Sequence, residues 1–211
     1  MTPDVPRPPD VHVLGRLLRS SATSPRGRFR AVAEYVSVQG PPPSELPRHY
    51  SPFRADGPPP TGLVHEECEI AWEDRDRWSV TTSAGGTYRR TGNDLVIRYP
   101  DHAPLEMDVG NLRAPNVGWP YYAGQWAEDL LLPHRLVGLL DDLVVVEDDP
   151  VRPRLRGDVS LRQPEAYTGV AGEEVLEVEF TADLDAVVIV EARAMTWDRR
   201  TASYSLEVLD R

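Results

Sequence analysis

The chain of 211 residues holds one cysteine, no lysine, three phenylalanines and three methionines. A lone Cys68 cannot close an internal disulfide or support a Cys-clustered zinc site, so stability has to come from a packed core. No apolar run approaches the roughly 18 residues that a spanning helix needs, and no transmembrane segment is expected. The first ten residues, MTPDVPRPPD, carry Asp4 and Asp10 and no apolar stretch; they do not read as a cleavable export signal, and a cytoplasmic protein is expected. Catalytic signatures are missing too. The histidines at 12, 49, 65, 102 and 134 lie in no Gly-flanked serine elbow and no His-Glu-x-x-His run, and no glycine-rich loop opens a helix after a strand. An enzyme is therefore not expected, nor is a cofactor. The absence of lysine against 23 basic residues reads as codon bias in a GC-rich genome, since no single site would demand arginine everywhere.

What is present is the composition of a globular protein, 40% hydrophobic and 27% charged. The formal net charge is −11, which repels phosphate backbones and anionic lipid, so nucleic acid is not an expected partner. The balance is uneven: residues 1–62 sum to +3 and residues 63–211 to −14. Arg16, Arg19, Arg26, Arg28 and Arg30 fall between Asp10 and Glu34 with no acid among them, and read as a solvated face. One domain over 1–211 is expected, with a disordered tail at 1–9.

Asp10 stands as an N-cap before Val11, Leu14, Leu17 and Leu18, which marks a short amphipathic helix. In RFRAVAEYVSVQ the β-branched content favours a strand, with Phe29, Ala31, Ala33 and Tyr35 on one side. Residues 40–62 carry eight prolines, which deny both helix and ladder hydrogen bonds and predict a long irregular loop. From residue 63 the period is two. Cys68, Ile70 and Trp72 share a face opposite His65, Glu67 and Glu69; Trp78, Val80 and Thr82 continue it; Leu95, Ile97 and Tyr99 follow the turn TGND; LEMDV alternates throughout. Such strands joined by short turns predict an antiparallel meander with one apolar face. Residues 110–124 are rich in turn formers and aromatics, and QWAEDLLLPHRLVGLLDDL then has its leucines near helical spacing, predicting one helix broken at Pro133 and a second running from Pro133 to about Leu143. Strands return afterwards. Val151, Leu155, Val159 and Leu161 oppose Arg152, Arg154, Arg156 and Arg162; then come Leu176, Val178 and Phe180, then Val188 and Val190, then Tyr204, Leu206 and Val208. The fold class is mainly β with α: one bent antiparallel sheet with the 126–143 helices on its concave side.

That order of elements resembles the LolA-like and RseB-like bacterial lipoprotein-carrier superfamily over most of the chain beyond residue 10. WEDRDRWSV at 72–80 and GNDLVIRYPD at 92–101 resemble its hairpins, LLLPHRLVGLL at 130–140 resembles its covering helix, and LDAVVIVEARAMTWDRRTASYSLEVL resembles its closing meander. The resemblance implies an open half-barrel of about eleven antiparallel strands whose concave apolar face is lidded by helices and holds an acyl chain or other lipophile, here in a cytosolic relative.

His65, Glu66, Glu67 and Cys68 are metal-ligand types, but alternation along a strand leaves no three of them convergent, so no metal is expected. The acids Asp141, Asp142, Glu147, Asp148 and Asp149 have no EF-hand spacing and read as a solvated helix end. The arginine row at 152, 154, 156 and 162 reads as outward decoration paired with neighbouring glutamates. Aromatics are the remaining signal. If a lipophile binds, alternation places Trp72, Trp78, Ile97, Tyr99 and Met107 against it from the sheet, and Trp126 and Leu136 from the lid. Two function classes stand: a non-catalytic binding protein with an apolar cleft for a hydrophobic small molecule or acyl chain, and a protein-interaction or regulatory module whose cleft is filled by its own side chains. A hydrolase ranks behind both. Because eight prolines block regular pairing between 40 and 62, deleting most of that segment is expected to leave a cooperative thermal transition intact. Loss of the cooperative transition in the shortened chain would show the segment to be structural.

Overall fold

Alternating side chains become, among the described residues, eleven strands of one antiparallel sheet. The computed structural model describes residues 7–21, 25–37, 62–74, 76–100, 102–109, 125–160, 169–171, 175–197 and 199–210. Helix α1 (Val11–Leu18) and a 3-10 turn (Arg19–Ser21) precede β1 (Gly27–Ser37), β2 (Gly62–Asp74), β3 (Arg77–Thr82), β4 (Thr87–Thr91), β5 (Asp94–Arg98) and β6 (Leu105–Asp108). Helices α2 (Gln125–Leu131) and α3 (Pro133–Val137) lead into β7 (Leu140–Glu147), β8 (Arg154–Val159), β9 (Val175–Asp183), β10 (Val188–Thr196) and β11 (Thr201–Asp210). In space the order is β6-β5-β4-β3-β2-β1-β11-β10-β9-β8-β7. The sheet is not closed, because β6 and β7 are its two ends, and the result is the expected open half-barrel, mainly β with some α. The Pro-rich loop at 40–62 lies outside the described residues except for Gly62, where β2 begins, as does the aromatic segment at 110–124. Of the tail expected at 1–9, residues 7–9 are described, and the Arg7 carbonyl accepts a hydrogen bond from the Val145 N–H at 2.7 Å.

The core lies on one face of the sheet. Phe29, Ala31 and Ala33 of β1, Cys68, Ile70 and Trp72 of β2, Trp78 and Val80 of β3, and Leu95 and Ile97 of β5 are all buried there, as the alternation required. Alanines occupy the strands under α2. Ala31 and Ala33 on β1 and Ala192 and Ala194 on β10 leave room for that helix, which packs on β1, β10 and β11 through an entirely buried stretch that includes Ala127, Leu130 and Leu131. At the β4–β5 hairpin Thr91 pairs with Asp94, so the turn is two residues long and Gly92 takes φ 62°, which a side chain would resist.

Caps explain the helices. Asp10 accepts from the His12 N–H at 2.7 Å, as its position predicted. Leu132 at the N-cap of α3 has no side chain to offer, and a distant residue supplies the bond: the His134 N–H donates to Ser20 Oγ at 3.0 Å while Ser20 Oγ donates to the Leu17 carbonyl at 2.8 Å. One hydroxyl thus ties the end of α1 to the start of α3.

The following expectations need correction. The second helix does not run to Leu143: it stops at Val137, the Gly138 N–H closes onto the His134 carbonyl, and Leu140–Glu147 is strand β7 paired with β8. Leu139, Leu140 and Leu143 fit a helical period, but Val144, Val145 and Val146 favour the extended chain, and Asp142 at φ 50° lets the strand bulge. Asp141, Asp142 and Glu147 therefore sit on a strand and not at a solvated helix end. On β10 a bulge between Ile189 and Glu191 buries both Val188 and Ile189 and passes the inward face to Ala192 and Ala194, leaving Val190 half-buried. Leu176 shares a face with Val178 and Phe180 but lies near the strand end and is 53% exposed; Val151, expected inward with Leu155, precedes β8 and is exposed, and Leu161 lies outside the described residues. Phe180→Ala is accordingly expected to cost about 3–5 kcal/mol, and Leu176→Ala less than about 0.5 kcal/mol, read from urea midpoints. Equal losses at the two positions would contradict this assignment of the core.

Candidate functional site

The seven side chains expected around a lipophile all belong to the apolar side of the sheet and its helices. Trp72 and Trp78 are cross-strand partners on β2 and β3, with ring centroids 6.3 Å apart and planes within 8°. Ile97 on β5 stands opposite Tyr88 on β4 and Leu105 on β6, and Leu95 stands opposite Met107. The Tyr99 hydroxyl meets the Tyr88 hydroxyl at 2.8 Å with the rings edge to face, and burial followed by this hydrogen bond drives the Tyr88 phenol far above its usual value. Trp126 on α2 donates its Nε1–H to Glu66 Oε2 at 3.2 Å and lies 5.8 Å from the Tyr204 ring of β11. Leu136 is fully buried on α3, which packs against α1 and α2. Trp72, Trp78, Ile97, Trp126 and Leu136 are no more than 6% exposed, whereas Tyr99 and Met107 are half-buried. Trp126 joins the strands it covers through Glu66.

Polar groups absent from the expected set hold this face in place. Glu66 reaches inward from β2, accepting from the Tyr35 hydroxyl at 2.7 Å as well as from Trp126. Arg135 of α3 pairs with Glu128 and, at 3.3 Å, with Asp129 of α2, while Asp129 Oδ2 accepts from the Val170 N–H at 2.9 Å. A guanidinium between two buried carboxylates pins the two short helices to each other and to residue 170. Removing one member of such a group leaves buried charge uncompensated. The Tyr204 phenol is pushed up by burial first, then by Asp129 and Glu66.

Nucleophilic groups are present but committed. The Cys68 thiol faces the core and is pushed up to about 12 by burial, then by Glu66 and Glu67, so it holds its proton at neutral pH. Ser20 and His134 make the single Ser–His side-chain hydrogen bond among the described residues, with Nδ1 2.9 Å from Oγ. Ser20 is wholly buried and its hydroxyl is already used as a cap, so the pair is a helix-to-helix clasp with no approach for a substrate. Burial, followed by the charge of Arg135, lowers the His134 imidazole below its usual value of 6.5.

The opposite face of the sheet is charged and largely paired. Arg30 meets Glu67 at 3.3 Å and Glu207 at 3.6 Å; Arg154 meets Glu147 at 3.4 Å and Glu179 at 3.7 Å; Arg156 meets Glu177 at 3.6 Å. Arg154 and Arg156 are thus strand decoration, whereas Arg152 precedes β8 and meets Asp183 at 3.4 Å, and Arg162 lies outside the described residues. An open groove of about 350 Å³ crosses this outer face between Glu34, Glu191, Arg193 and Ser203. A second groove, of about 190 Å³, lies between residues 7–10 and the β7–β8 edge. None of the seven expected side chains lines either groove. Among the described residues no three His, Cys, Asp or Glu side chains converge as a metal set, and no helix is long and apolar enough to cross a membrane.

No family model matches the chain, and no curated protein matches it in sequence. Among solved structures it is similar to a LolA superfamily protein from Nitrosomonas europaea, at 10% identity over 92% of this chain and 90% of that one, with a TM-score of 0.32. It is also similar to MucB in the MucA/MucB complex of Pseudomonas aeruginosa, at 14% identity over 92% of this chain and 55% of that one, with a TM-score of 0.40. MucB on its own gives 15% identity over 93% of this chain and 57% of that one, with a TM-score of 0.43, so this chain spans little more than half the length of MucB. At these identities and scores the likeness concerns fold alone, and it passes no ligand or partner to this chain.

The half-buried His134 is expected to supply a pH dependence. An imidazole whose folded value is lowered binds fewer protons in the native state than in the unfolded one, so stability falls as pH drops below 6.5. Urea midpoints measured at about pH 7.5 and about pH 5.5 are expected to differ less in His134→Asn than in the wild type. An unchanged difference would show that His134 carries none of it.

Proposed function

We propose that the chain is a non-catalytic protein-interaction module of the open half-barrel type, in which the helix-covered face is a core filled by the protein's own side chains. One observation carries this reading: five of the seven side chains that would line a ligand cleft are already packed to 6% exposure or less. Burial of each such side chain is worth about 1.5–3 kcal/mol, and a lipophile entering between them would forfeit contacts the protein already has. The surfaces left for recognition are the charged outer face, its groove and the two sheet ends. A net charge of −11 favours partners that carry positive charge and disfavours nucleic acid.

A second reading, the apolar cleft, is favoured by the β5–β6 end, where Tyr99, Leu105 and Met107 are only half-buried and an alkyl chain would find its entry. Titration with a fluorescent fatty-acid probe separates the two. The expected result is no saturable uptake by the wild type. Saturable uptake that Trp78→Ala or Met107→Ala weakens, in chains shown to remain folded, would overturn the filled-core reading and establish the cleft.

A further inference from the structure

As one end of the sheet, β7 has an outer row of backbone groups with no full strand beyond it among the described residues. At one position the edge is nonetheless occupied. Val145 N–H donates to the Arg7 carbonyl in an antiparallel bridge, and the Arg7 guanidinium lies against the Asp148 carboxylate. One backbone bond and one exposed ion pair hold the segment there, and an exposed ion pair contributes little. The segment is also a poor strand: Pro6, Pro8 and Pro9 surround Arg7 and carry no backbone N–H, so the bridge has little means of lengthening into a ladder.

The edge itself has a definite chemistry. Asp141, Asp142, Glu147 and Asp148 are exposed along it, while Val144 and Val145 are half-buried and Val146 is 38% exposed. Asp149 is spent on its own turn, accepting from the Val151 and Arg152 N–H groups, which holds its carboxyl below the usual value. Between the Arg7 segment and the edge runs the groove of about 190 Å³ whose walls include Val13, Val145, Pro153 and Leu155, so apolar surface lies beside the carboxylates. Two such acidic edges repel each other, which disfavours a second copy of the chain as occupant. A cationic strand meets complementary charge at the same place.

We propose that the outer edge of β7 around Val145 is a docking edge for an extended, proline-free, arginine-bearing segment of a partner protein, which adds as an antiparallel strand in the place held by Arg7. The inference rests on the interaction-module reading and names its surface and partner chemistry. Val145 supplies the backbone donor, Asp148 the charge that sets register, and the groove walls that stay in place when the Arg7 segment leaves, Val13, Val145, Pro153 and Leu155, receive an apolar side chain. The Arg7 segment is a weak plug that the partner displaces, and it lowers apparent affinity by the fraction of time it is seated.

The test uses the full chain and a fluorescein-labelled synthetic peptide of alternating valine and arginine, read by polarisation, with amide exchange at Val145 followed by NMR. Saturable binding is expected, several-fold tighter in Arg7→Ala than in the wild type, with slower exchange at Val145 when the peptide is bound. Asp148→Arg is expected to weaken binding by about tenfold or more, and Asp148→Asn, which preserves size, by less. The same peptide with N-methylated backbone at alternate residues, or with glutamate for arginine, should not bind. No saturable binding to folded Arg7→Ala overturns the proposal, as does equal binding of the N-methylated peptide or indifference to both Asp148 substitutions. Concentration-dependent dimerisation of Arg7→Ala without peptide would replace the partner by a second copy. Fatty-acid uptake is read separately on the same protein: failure at the edge without uptake leaves the module reading standing, whereas uptake removes that reading whatever the edge does.

Discussion

Everything in this structure depends on β1 having strands on both sides. It pairs with β2 along its whole length, from Gly27 to Ser37, and with β11 from Arg28 to Glu34. Among the described residues, only its pairings join the β2–β6 half of the sheet to the β7–β11 half. Register at β1 is therefore the register of the molecule. A slip of one residue would turn Phe29, Ala31 and Ala33 outward and bring Arg28, Arg30 and Val32 to the core, so the apolar face enforces the pairing that creates it.

The two halves fill that face by different means. Near the middle of the sheet the strands carry alanine, and α2 supplies the bulk; farther out, on β2 to β5, the strands carry Trp72, Trp78, Tyr88, Leu95 and Ile97 themselves. Several inward polar groups fix elements relative to one another: Glu66 between Tyr35 and Trp126, Arg135 between two carboxylates, Ser20 between α1 and α3. Each is hydrogen-bonded or ion-paired, as burial demands. On the proposed filled-core reading, the molecule has its charged outer surface and its sheet ends to offer a partner.

The strands were legible because a half-buried strand writes its burial into every second residue, and Cys68, Ile70 and Trp72 or Trp78 and Val80 do so without interruption. The stretch from Leu139 to Leu143 was not, since leucines three and four apart serve a helix or a bulged strand equally, and the left-handed backbone at Asp142 leaves no mark on an aspartate. The same holds at Val190, where a bulge shifts the inward face by one residue. Of the site, the aromatic set on one face could be read from alternation. Contacts between distant positions could not: Ser20 and His134 are 114 residues apart, and Arg7 and Asp148 are 141 apart, so no local pattern joins them. Glu66 carried a weak signal, being an acid on the same side of β2 as Cys68 and Ile70, where an inward carboxylate requires a partner.

Whether the apolar face is full is most directly settled by native mass spectrometry of the protein as purified from the cells that made it, followed by organic extraction of the same sample. The filled-core account expects the mass of the polypeptide alone and an extract free of any stoichiometric lipophile. A hydrophobic molecule retained at one per chain, and recovered in the extract, would contradict it.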